Sequence, residues 1–258
     1  MTSDKESVLL QEARWILGEA QNRNITLRLL GAIAFRLRCE GKLSSNSAVR
    51  PLTDVDFMAY SEQRGVIRKM MEDLGLTLDE SVLMDSWGSR YVFHDKTKNI
   101  TVDVFFDKLD MCHAIDLRKG RRLELEKETL APADLLLEKM QIVHLEKKDI
   151  VDTVSLMVTH NLGNDDHDRI DMSYISRLLS NDWGFYYTVT SNLRKIQEVL
   201  PDLGFLTEIE RRTVASHIMT MIAQIDVQPK TVRWMMRSKV GTKRQWYKDV
   251  EEKTRGRV

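Results

Sequence analysis

Apolar and polar positions along the first half of the chain switch between helical and strand rhythms. Val8, Leu9, Ala13, Ile16 and Leu17 recur at helical spacing and predict a helix over Ser7–Asn22. Ile25–Leu30, with Thr26 and Arg28 interleaved, predicts a short strand, and Ala32–Arg38 a helix straight after Gly31. A strand that enters a helix through glycine makes a compact turn whose backbone a ligand can approach, because glycine has no Cβ. Gly41–Pro51 is rich in Ser and Asn and reads as a loop. Asp54–Tyr60 follows as a strand, and Glu62–Leu74 as an amphipathic helix stopped by Gly75. Tyr91–His94 and Ile100–Phe106 flank Asp95–Asn99 as a hairpin, with Arg121–Glu126 as a further edge strand.

Beyond Leu130 the strand rhythm fades. Leu135–His144, Asp149–His160, Asp171–Leu179, Thr190–Leu200 and Glu208–Ile225 all carry helical periodicity. Strands first and helices afterwards imply an α+β chain: a mixed sheet with flanking helices over residues 1–129, then a helical domain over residues 130–258. There is no internal repeat and no low-complexity tract.

Composition changes this picture little. With 258 residues, 42% hydrophobic and 30% charged, the chain has the make-up of an ordinary globular protein. No apolar run approaches membrane-helix length, and Met1–Ser7 lacks the basic start and apolar run of a signal peptide, so a cytoplasmic protein without a membrane partner is expected. Cys39 and Cys112 are expected as free thiols, and the six histidines show no metal-ligand spacing. Net charge is zero, but its distribution is uneven. Residues 230–258 hold ten Lys and Arg against three acids, a local +7 that leaves −7 in residues 1–229. Trp234, Trp246 and Tyr247 lie among these bases, a pattern that suits either nucleic-acid phosphates with stacked bases or a solvated basic helix and tail.

Candidate chemistry lies in the acids of the strands. Asp54 and Asp56 are two apart at the start of a strand, so both side chains project from one face. Paired carboxylates repel, and a divalent cation with oxygen preference, magnesium or manganese, relieves that conflict. Asp103 interrupts Ile100-Thr101-Val102-Asp103-Val104-Phe105-Phe106, where an unpaired acid is unusual. If its strand lies beside that of Asp54, the three acids converge on a metal site that serves a triphosphate. Pairing of Asp103 with Arg90 or Lys98 is the structural alternative.

The order strand, glycine turn, helix, loop, Asp-x-Asp strand, apolar strand with one Asp resembles the nucleotidyltransferase superfamily typified by polymerase beta. The resemblance covers about residues 25–157. It implies a nucleotidyltransferase-type fold, with Gly31 and Ala32 meeting phosphates and Asp54, Asp56 and Asp103 holding metal. The subgroup it most resembles is the AbiEii-like abortive-infection nucleotidyltransferases, which occur as toxins. There an arginine precedes the Asp pair, as Arg50 does in Arg50-Pro51-Leu52-Thr53-Asp54-Val55-Asp56-Phe57. A later helix carries a lysine and then a basic-Asp-x-x-Asp signature, matched here by Lys139 and by Lys147-Lys148-Asp149-Ile150-Val151-Asp152. Lys139 is thereby expected at the triphosphate, with Asp149 holding it or another basic group. The later helices, around Asp182-Trp183-Gly184 and Thr188-Val189-Thr190, also look like uncharacterised bacterial nucleotidyltransferase-like proteins. One departure stands out: the family has Gly-Gly or Gly-Ser where this chain has Gly31-Ala32, so a serine hydroxyl is absent, although backbone amides at a helix start still bind anions.

The expected reaction is attack by an acceptor hydroxyl on the α-phosphate of a nucleoside triphosphate, with pyrophosphate released. The acceptor is RNA such as tRNA, a protein or a small molecule. Two readings stand against it: a catalytically degenerate nucleotide-binding protein, and an RNA-binding module of a toxin–antitoxin system.

Overall fold

The computed structural model describes residues 2–43 and 51–249. Its framework is a five-stranded mixed sheet in the order β1-β2-β5-β4-β3. These strands are β1 (Leu27–Leu30), β2 (Val55–Ala59), β3 (Thr77–Leu78), β4 (Arg90–Asp95) and β5 (Ile100–Phe106). β1 runs antiparallel to β2, β2 parallel to β5, and β5 antiparallel to β4, which pairs antiparallel with β3. The chain is α+β, as its rhythms imply.

Register explains why the acids meet. Asp56 lies opposite Asp103 across the parallel pair, and Leu30 lies opposite Asp56 across the antiparallel one. Partnered residues share a face of the sheet, so Leu30, Asp56, Asp103 and Val92 form one row. The other face is apolar: Leu29, Val55, Phe57, Val102, Val104 and Phe93 are all fully buried. A one-residue slip would bury the carboxylates in that core and expose the apolar set, so burial fixes the register.

Helices α1 (Thr2–Asn22) and α3 (Arg64–Asp73) pack together beside the sheet, and α4 (Glu80–Asp85) lies against β4. α2 (Gly31–Cys39) leaves β1 directly and packs against β1, β2, α5 (Pro132–Met140) and α6 (Lys147–Thr159). Beyond these come α7 (Met172–Leu179), α8 (Trp183–Val199), α9 (Glu208–Val227) and α10 (Val232–Val240), with α9 against α6, α7 and α8, and α10 against α8. Small two-stranded ladders join β6 (Lys108–Asp110) to β7 (Ala114–Asp116) and β8 (Leu162–Gly163) to β9 (Ile170–Asp171). One hydrophobic cluster runs from Leu9 in α1 to Ile225 in α9. Among the described residues no helix is long and apolar enough to cross a membrane. Cys39 and Cys112 are free thiols.

Several boundaries differ from the sequence reading. The expected edge strand over Arg121–Glu126 is instead a 3₁₀ turn over Arg122–Glu124, entered through a left-handed Arg121. Leu123 is fully buried and Leu125 is 42% exposed, so the two leucines do not share the face that strand alternation required. Arg122 turns inward to carboxylates on other elements, which overrides local pattern. The β1 edge is met a few residues later: the Leu29 amide donates to the Glu128 carbonyl and the Leu130 amide to the Leu29 carbonyl. α8 starts seven residues before the expected Thr190, because the Asp182 carboxylate accepts from the Phe185 amide and caps the helix there. α4 and α10 were not expected from periodicity. α4 starts at a local cap, where Asp79 accepts from the Ser81 and Val82 amides.

Candidate functional site

Asp54 immediately precedes β2, Asp56 lies within it and Asp103 lies in the middle of β5. One carboxylate oxygen from each falls within 4.8 Å of the others. Asp103 is 1% exposed although its strand neighbours are apolar. Arg90, a diagonal neighbour on β4, donates from Nη2 to its Oδ2 at 2.5 Å and lies over the Phe105 ring at 5.1 Å. The Asp103–Arg90 pair and the acid cluster therefore coexist, while Lys98 goes to Glu12 and Asp95. The Thr53 hydroxyl donates to Asp54 Oδ1 at 2.8 Å.

Asp56 carries the electrostatic strain of the group. Burial, then repulsion from Asp54, Asp103 and Glu138, pushes its carboxyl well above the ordinary range, against a smaller opposing pull from Lys139. Converging carboxylates that disfavour one another's charge form an oxygen donor set fit for a divalent cation such as magnesium or manganese.

The glycine turn closes against this cluster. Gly31 has φ +66°, and a Cβ placed there would lie 2.4 Å from Asp56 Oδ2. Only glycine combines that backbone conformation with that approach. Ala32, the next residue of α2, is buried. The start of α2 has no side-chain cap and no acid in its first turn, so its partners come from elsewhere. The Gly31 amide donates to Glu138 Oε2 of α5 at 3.2 Å.

Lys139 stands next to Glu138 on α5 and is almost wholly buried. Its Nζ lies 3.5 Å from Glu138 Oε1, 3.5 Å from Asp149 Oδ1 and 3.3 Å from Asp152 Oδ2, and 5.4 Å from the Phe35 ring centre. Asp149 therefore meets Lys139, and it also closes the capping box of α6 by accepting from the Glu146 amide. Arg50 lies outside the described residues. Glu138 and Asp152 were not singled out as site residues by sequence reasoning. Asp152 is the second acid of the basic-Asp-x-x-Asp signature and could have been found there. Glu138 gave no signal, because an acid on an amphipathic helix is ordinarily solvated.

Part of the basic C-terminal segment, residues 230–249, is described, and Lys253, Arg255 and Arg257 lie outside the described residues. Lys230 donates to the carbonyls of Ile225, Asp226 and Gln228, Arg237 to those of Gly241, Arg244 and Gln245, and Lys248 to Asp110. Trp246 donates from its indole to Thr188 and packs edge-on against Tyr187, while Tyr247 meets Trp246 and His144. These aromatic contacts bind the segment to α8 and its surroundings.

No protein-family model matches the sequence, and no curated protein does. Among solved structures, the chain is similar to the solution structure of the antibiotic-resistance factor ANT(2'')-Ia. The two are 16% identical with a TM-score of 0.42, over 70% of this chain and 96% of that one. A likeness of that size carries no conclusion about this chain.

Proposed function

We propose that the protein is a nucleotidyltransferase of the polymerase-beta-like type, related to the AbiEii-like group, that moves a nucleotide from a nucleoside triphosphate to an acceptor hydroxyl. The observation that carries the reading is the convergence of Asp54, Asp56 and Asp103 oxygens within 4.8 Å, on a sheet face closed by a glycine turn that touches Asp56. Gly31-Ala32, Asp-x-Asp, Lys139 and the Asp149/Asp152 pair follow one another in the order that the resemblance implies. Residues 1–129 are the nucleotidyltransferase unit in this reading, and residues 130–258 a helical unit that supplies Lys139 and Asp149.

Asp54, Asp56 and Asp103 would hold magnesium or manganese, which when bound offsets phosphate charge and polarises the phosphoryl oxygens. The acceptor oxygen forms a bond to the α-phosphorus, the bond to the bridging oxygen breaks, and pyrophosphate leaves with its electron pair. Asp103, if not bound to metal at that moment, takes the acceptor proton; Arg90 keeps its carboxylate oriented. The Gly31 and Ala32 amides, at the positive end of α2, and Lys139 orient the triphosphate, with Arg50 expected to assist from before the Asp pair.

A second reading is favoured by one feature. Ala32 offers no hydroxyl to phosphate, which suits a protein that binds nucleotide without turnover. Incubation with each α-labelled nucleoside triphosphate, magnesium and bacterial RNA and protein, with Asp54→Asn in parallel, separates the two. Label on a discrete acceptor is expected for the wild type, with at least about a hundredfold less for the variant. A labelled RNA band would make RNA the acceptor, a labelled protein band a protein. Equal labelling by Asp54→Asn would overturn the assignment, and triphosphate binding without any transfer would establish the second reading.

A further inference from the structure

The Gly31 amide that the proposed function assigns to phosphate already has an anionic partner. Glu138 Oε2 accepts from it at 3.2 Å, from a helix 107 residues later in the chain. Glu138 is buried, which pushes its carboxyl up, while Lys139 and the Gly31 amide favour its charged form; as an anion it adds to the repulsion on Asp56. Two structural explanations for that placement fall short. Lys139 does not depend on Glu138, since Asp149 and Asp152 lie at 3.5 and 3.3 Å. The start of α2 could have been capped locally by an ordinary Ser or Asp, as Asp79, Asp171 and Asp182 do for α4, α7 and α8. Instead a carboxylate of the neighbouring α5 reaches a turn that touches Asp56, one of three converging acids.

Resting on the reading above, we infer that Glu138 sets the affinity of the site for triphosphate by competing with phosphate for the Gly31 amide. The carboxylate occupies the anion position at the start of α2, and a phosphate oxygen takes it only when Glu138 turns away. One N–H cannot serve two anions at full strength, and two anions side by side repel. Glu138 is thus a specificity-determining residue: it holds off weak anions such as inorganic phosphate and gives way to a multivalent triphosphate that also engages metal and Lys139.

The test uses the full chain with magnesium and inorganic tripolyphosphate, which removes any dependence on base preference, and then with ATP. Binding is measured by calorimetry for wild type, Glu138→Gln and Glu138→Asp, with thermal melting to confirm that each variant is folded. Glu138→Gln removes the charge at constant shape, and Glu138→Asp keeps the charge but shortens its reach to Gly31. Tripolyphosphate binding is expected to tighten roughly tenfold in Glu138→Gln and by less in Glu138→Asp. The Gly31 amide resonance of the wild type is expected to move on binding as its acceptor changes from carboxylate to phosphate. Equal or weaker binding in folded variants, with wild type binding normally, would overturn the competition and leave the nucleotide reading intact. No binding of either ligand by any form would overturn the nucleotide reading and this inference with it.

Discussion

Two buried clusters of charge in this molecule are built on opposite plans. Around Arg122, opposite charges pair. Its Nε donates to both oxygens of Asp134 at 2.6 and 2.8 Å, its Nη2 donates to Asp166 at 3.0 Å, and its guanidinium stacks 3.5 Å from the centre of the Tyr174 ring. Burial works against the Arg122 charge, but Asp134 and Asp166 outweigh it and hold the guanidinium above its ordinary value, while at Asp134 burial outweighs Arg122 and pushes the carboxyl up to about 6. This network ties the 3₁₀ turn to α5, α7 and the loop before β9. Around Asp56 the charges conflict: three carboxylates converge, a fourth presses on them, and Asp56 is pushed towards its neutral form. A buried network of paired opposite charges serves the fold. A like-charge cluster works against it and persists where a ligand resolves the conflict.

The comparison can be broken first at its structural end. Arg122→Ala leaves Asp134 buried without its partner and is expected to lower unfolding free energy by about 3–5 kcal/mol, read by denaturant titration. A loss below about 1 kcal/mol would mean that the network does not hold the 3₁₀ turn to α5 and α7.

At the boundary of the acid cluster, Gly31→Ala forces a Cβ onto Asp56 and a side chain onto a left-handed backbone. A loss of about 2 kcal/mol is expected in thermal or denaturant melts, with weaker magnesium binding because Asp56 must shift. Unchanged stability and metal affinity would show that the turn does not hold Asp56 in place.

The smallest effect has the opposite sign. Asp56→Asn removes one charge from the conflict and is expected to raise metal-free stability by roughly 1–2 kcal/mol, while magnesium binding is lost. The folded Asp56 carboxyl titrates above its unfolded value, so its folding contribution is full at low pH and lost as pH rises through the folded value. The stability advantage of Asp56→Asn over wild type is therefore greatest above that value and closes as pH falls towards about 4. An advantage that grows on acidification would reverse the assigned sign.

How far the sequence was legible differs between the same two clusters. The spacing of Asp54 and Asp56, the single acid in the β5 run and the glycine between β1 and α2 were visible, because period-two alternation and a forbidden Cβ leave local marks. The partners of Lys139 were half visible: Asp149 and Asp152 stand in one short signature, whereas Glu138 looked like one more solvated acid on a helix. The Arg122 network left no mark at all. Its members lie on separate elements, and an Arg in an Arg-Leu-Glu-Leu run reads as a surface strand until Asp134 and Asp166 are brought to it.

The sequence by itself determined the succession of β1, α2, β2, α3, β4 and β5, the face from which Asp54 and Asp56 project and the need for glycine at the end of β1. Those are properties of neighbouring residues, fixed by backbone geometry and side-chain period. Only the tertiary structure decided that β5 lies parallel beside β2 with Asp103 opposite Asp56, that α5 presents Glu138 to the Gly31 amide, and that Arg122 turns inward. Each depends on a contact between segments far apart in the chain, where burial of the whole apolar face, and not any local preference, sets the register.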